Sequence, residues 1–125
     1  MPIATATAFA AVAAVVANVL VRALAVALFD IPQPEFEELN LRPVILSTLG
    51  GVIAAGIVYA VMGGRTRPFV IVAVVALALS LIAPLTIDDP NADAAAVGTL
   101  IAMHVVAAAI SVPILIRRAH RVSGL

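Results

Sequence analysis

The chain has 125 residues, of which 64% are hydrophobic and 11% charged, with a mean hydropathy of +1.21 and a formal net charge of zero. Ordinary globular proteins are about 45–50% apolar and about 25% charged, so a water-soluble core cannot absorb this surplus and lipid must surround it. There is no cysteine, which excludes disulfides, thiolate metal sites and cysteine nucleophiles, and every basic residue is arginine.

Four apolar stretches follow one another. The first runs from Ile3 to Phe29, interrupted by Asn18 and Arg22. It reads as a retained helix, because a cleaved signal peptide would carry a basic leading region and a shorter apolar core. The second covers about residues 43–62, the third 68–85 and the fourth 94–116. Each is long enough for a helix to cross the hydrocarbon layer, which takes roughly 17–25 residues. Lipid offers the backbone no hydrogen-bond partners, and the alternation that a barrel strand needs is missing, so the spans are helices. Breakers separate them: Asp30-Ile31-Pro32-Gln33-Pro34, Gly63-Gly64 and Asp88-Asp89-Pro90. The predicted fold is all-α, a single domain over residues 1–125, forming an up-down-up-down bundle of four transmembrane helices.

Arginine sets the expected orientation. Arg65 and Arg67 lie between the second and third spans, and Arg117, Arg118 and Arg121 in the tail. Arg42 alone lies on the opposite side, so the positive-inside rule places both termini in the cytoplasm of a multi-pass protein of the cell membrane. All seven carboxylates fall in the two loops expected outside.

Three stretches together resemble DUF6069, a family of small four-helix bacterial membrane proteins of unknown function. They are Ala11-Val12-Ala13-Ala14-Val15-Val16-Ala17-Asn18; Thr66-Arg67-Pro68 leading to Leu79-Ser80-Leu81-Ile82-Ala83-Pro84-Leu85; and Ala102-Met103-His104-Val105-Val106 followed by Val112-Pro113. The resemblance implies the four-helix membrane fold and carries no activity with it.

Polar groups inside a bilayer are the natural functional candidates, because they are costly to place there. Asn18 and Arg22 share a face of the first helix with Thr7, Ala11 and Ala14. His104 and Ser111 share a face of the fourth, Ser80 precedes Pro84 by one turn, and Ser47, Gly51 and Ala55 form a row of small residues in the second. At about 1.5 Å per residue, Asn18, Arg22, Ser80 and His104 all fall ~12–18 Å below the loops carrying the acids, so they are expected to form one polar cluster. Arg22 should turn toward those loops, and His104 should face the interior near the first or third helix. The cluster serves either as interhelical glue or as a polar cavity.

Other motifs fail on inspection. Asp89-Pro90-Asn91-Ala92-Asp93 begins like a calcium loop, but Ala94 replaces the turn glycine and Leu100 the closing glutamate. Asp89 and Pro90 read better as a helix cap and first helical residue. Pro34-Glu35-Phe36-Glu37-Glu38-Leu39 reads as a short interfacial helix with Phe36 and Leu39 on lipid. No metal site, cofactor, nucleic-acid partner or enzymatic constellation is expected. The sequence favours a structural or accessory subunit acting through helix–helix contacts, with other membrane subunits or a second copy as partner. The alternative is a small transporter or channel with a polar cavity around Asn18, Arg22 and His104.

Overall fold

The computed structural model describes residues 2–29, 31, 39–88, 90 and 92–119. Among them the chain is helical and contains no strand: α1 Ile3–Leu28, α2 Leu41–Val61, α3 Thr66–Ser80, the short α4 Ile82–Leu85, and α5 Ala94–Ile114, which continues as a π-helical turn over Leu115–Ala119. Four spans are long and apolar enough to cross a membrane: Ile3–Leu28, Leu41–Val61, Thr66–Leu85 and Ala94–Ala119. Their outward residues, such as Val12, Leu20, Leu24 and Val61, are large, apolar and exposed, as in a multi-pass membrane protein.

The α1–α2 contacts give their directions. Thr7 meets Gly56, Asn18 meets Thr48 and Arg22 meets Leu39, so α2 runs back along α1. The same logic applies to α5. Ala6 packs in one cluster with Leu115 and Ala119, while Ala25 packs with Ala96 and Leu100 at the other end. Alanines at 6, 10 and 14, with Asn18, form a row four residues apart on α1, and all are buried. Small side chains let the α1 backbone approach both neighbours closely, which is how helices associate where lipid removes the hydrophobic incentive.

Gly63 and Gly64, at φ 66° and 72°, close α2: the Gly64 amide returns to the Tyr59 carbonyl at 3.0 Å, and α3 starts at Thr66. A side chain would strain both positions. Prolines lie inside the first turns, at Pro43 and Pro68, so these helices begin two residues earlier than predicted.

The third span, expected to be continuous, is broken after Ser80. Pro84 has no N–H to give the Ser80 carbonyl, and its ring crowds that oxygen. Ala94 is the first residue of α5, and its cap is Asp93, whose carboxylate accepts from the Ala96 amide at 2.8 Å. The predicted cap at Asp89 and first helical position at Pro90 is therefore corrected: Pro90 lies in a turn, and Asp89 lies outside the described residues. Leu39 also differs. It is fully buried beside Ala25, Ile31 and Val44 rather than set on lipid, and the rest of the proposed interfacial helix, residues 34–38, lies outside the described residues.

α1, α2 and α5 make the compact part of the molecule. Only 11% of the apolar stretch in the third span is buried, against 22–28% in the other three. Phe69 is the buried residue of α3, and its ring meets Tyr59 edge-on with centroids 4.7 Å apart.

Candidate functional site

A cleft of about 420 Å³ lies between α2, α3 and α5, reached from α1 by Asn18. Small residues keep it open: Gly51 and Ala55 on α2, Ala73 and Ala76 on α3, Ala107 and Ala108 on α5. A Cβ built on Gly51 would meet nothing within 4 Å. The small-residue row read from the sequence at Ser47, Gly51 and Ala55 thus borders this space. The row that packs against α1 is one residue further along: Thr48, Val52 and Gly56, all buried.

Asn18 is 2% exposed. Its Nδ2 donates to Thr48 Oγ1 at 3.1 Å, and Thr48 in turn donates its one hydroxyl proton to the Val44 carbonyl at 2.7 Å. That chain fixes the amide orientation, since a hydroxyl whose proton is already placed can only accept from Asn18. The Asn18 Oδ1 is left buried and without a partner. Such an atom costs about 1–3 kcal/mol.

The other cleft-lining polar groups bond within their own helices. Ser80 Oγ donates to the Leu77 carbonyl, Ser111 Oγ to Ala107, and His104 Nδ1 to Leu100, each at 2.7 Å. A carbonyl only accepts, so Nδ1 carries the hydrogen.

Of the four residues expected to cluster, Asn18, Ser80 and His104 line one cleft. Arg22 stands apart, its Nε donating to the Leu39 carbonyl at 2.7 Å toward the connection between α1 and α2. These hydrogen bonds do not link the four to one another. Sequence reasoning missed Thr48, the residue that holds Asn18. The available signal was its place on the α2 row facing α1, a hydroxyl among apolar neighbours.

Because the histidine bond stays inside α5, His104→Ala is expected to lower stability by well under about 1 kcal/mol, less than an interhelical contact would. Unfolding in mixed micelles measures it. A loss of about 2 kcal/mol or more would show that His104 joins helices.

No curated protein and no solved structure matches the chain. Residues 1–121 match the model of a family of unknown function, DUF6069, and with nearly the whole sequence covered the chain belongs to that family.

Proposed function

We propose that this chain is a multi-pass protein of the cell membrane, both termini cytoplasmic, that works by holding a small molecule in the cleft between α2, α3 and α5, as a small transporter or channel does. The cleft volume carries this reading. About 420 Å³ lies within the range of roughly 300–1,000 Å³ that small-molecule sites occupy. A neighbouring helix is about 10 Å across with its side chains and would have to push α3 aside to enter. One observation favours the second reading, an accessory subunit: α3 is buried so little that its free face is available to another protein.

Native mass spectrometry of the protein extracted in mild detergent separates the two. Wild type is expected to carry a small-molecule adduct that Ala76→Phe, which fills the cleft, loses. A stoichiometric foreign subunit on wild type, with no adduct, would favour the accessory reading instead.

The orientation rests on the arginines, five on the side of the termini and one opposite. The absence of native cysteine makes the test direct. Cysteines placed at Glu37 and Asp89 are expected to react with an impermeant thiol reagent in intact cells, and one at Arg65 only after lysis. The opposite pattern would invert the topology.

A further inference from the structure

Among the described residues, one end of the bundle carries four arginines and no acidic side chain. Arg65 and Arg67 flank the start of α3, and Arg117 and Arg118 lie in the turn that ends the last span. These segments meet, because Tyr59, Phe69, Leu115 and Ala119 share one cluster with Ala6 near the start of α1. Arg65 folds back over that cluster, its Nε donating to the carbonyl of Met62 at 2.9 Å. All seven carboxylates belong to residues 30–38 and 88–93, in the connections at the opposite end.

The last turn is anchored through Leu115 and Ala119, both buried, with Arg117 and Arg118 between them exposed. The Arg118 guanidinium lies over the ring of Phe9, 4.5 Å from its centroid. Phe9 stands about two turns into α1 and is 44% exposed on its lipid-facing side. A cation at that level, next to hydrocarbon, calls for an anion or for water. The ring takes the face of the guanidinium, whereas the planar fork of N–H donors at its edge matches a phosphate. Phe9 also forms part of a shallow groove of about 420 Å³, lined by Thr5, Ala8, Phe9, Val12 and Ala13. With spacings of three and four residues, these side chains make one stripe that runs about 12 Å along α1, parallel to the acyl chains of a bilayer.

We propose that this end of the chain binds an anionic phospholipid, with its phosphate on the edge of Arg118 and one acyl chain along the α1 groove. The site is separate from the cleft between α2, α3 and α5 and does not depend on it. Charge selects the headgroup: a zwitterionic head brings its own cation into the field of the arginines, and an anionic head brings none. The groove selects an intact lipid over free phosphate. Its apolar wall suits a chain, and the chain holds the phosphate at the depth of Arg118, where a soluble anion would lose its hydration at high cost.

The test titrates the full chain in mixed micelles with phosphatidylglycerol or phosphatidylcholine of identical acyl chains and counts bound lipids by native mass spectrometry. Wild type is expected to bind phosphatidylglycerol about tenfold more tightly. Arg118→Gln is expected to lower phosphatidylglycerol binding about fivefold and to leave phosphatidylcholine unchanged, which also shows that the variant is folded. Arg118→Lys keeps the charge without the fork and should fall between. Arg42→Gln, at the opposite end, should change neither lipid, and Ala8→Phe, which fills the groove, should weaken both. Equal binding of the two lipids to wild type would overturn the site. So would a preference that Arg42→Gln lowers as much as Arg118→Gln, since that is a general attraction of charge. Glycerol 3-phosphate displacing the lipid at equimolar concentration would identify a free-phosphate site instead and overturn the lipid assignment.

Discussion

Gly56→Ala is expected to destabilise the α1–α2 pair by about 2 kcal/mol, although a single methyl group in a helix ordinarily helps. A Cβ at position 56 would lie 2.6 Å from Thr7 Cγ2 and 3.0 Å from Thr7 Cβ, with Thr7 Oγ1 nearer still. Whether the contact can relax depends on Thr7, and Thr7 is held twice over. Its branched side chain has few helical rotamers, and its hydroxyl donates to the Ile3 carbonyl at 2.7 Å. The backbones must then separate, and this strains the same interface that carries Asn18 to Thr48 further along. Reversible unfolding in mixed micelles gives the size of the effect, and a double-mutant cycle with Thr7→Ala gives its origin. Thr7→Ala removes the two nearest atoms, so Gly56→Ala placed in that background should cost much less. Equal costs in both backgrounds would move the explanation away from the Thr7 contact.

That contact illustrates which features could be read from the sequence. The helices were legible because length and hydropathy suffice to define a span, and the turn at Gly63-Gly64 because only glycine takes two consecutive positive φ values cheaply. Asn18, Ser80 and His104 stood out as polar residues in apolar stretches, and the cleft gathers them. Which face of a helix meets protein was far less legible. In water, an amphipathic stripe marks the buried side; here lipid and protein interior are equally apolar, so the stripe vanishes. Thr48, Val52 and Gly56 pack on α1, the first two also bordering the cleft beside Ser47 and Gly51, and a shift of one residue changes which row meets α1. Leu39 was misread for a related reason. Its neighbours in sequence are acidic and suggest a surface, whereas its neighbours in space are Ala25, Ile31 and Val44. Arg22 parts from Asn18 because its long stem, expected to turn toward the loops, reaches the Leu39 carbonyl just ahead of α2.

Phe69→Ala is expected to have the largest effect of any single truncation in α3, because Phe69 is that helix's buried residue. The ring is 1% exposed and belongs to the cluster of Ala6, Tyr59, Leu115 and Ala119, where α1, α2 and the end of the last span converge. Its edge-on contact with Tyr59 adds a directional attraction to the packing. Removing a buried Phe from a water-soluble core costs about 3–5 kcal/mol. Here about 2–3 kcal/mol is expected, since a released α3 exchanges protein for lipid rather than for water. The more telling consequence is spatial. Without Phe69, the third span keeps one other buried residue, Pro84 at its far end, whereas α1, α2 and α5 keep their alanine-based contacts. Amides of residues 66–80 should therefore lose hydrogen-exchange protection while those of α1 and α2 keep it, a sub-global opening rather than a general loosening. Phe69 also lines the cleft, so the same variant should retain less of the small-molecule adduct than wild type, because the α3 wall is no longer held. Phe69→Leu retains apolar volume and should fall between wild type and the alanine variant on both measurements. Uniform loss of protection across all four spans would mean that α3 is integral to the bundle and that Phe69 is not its hinge point.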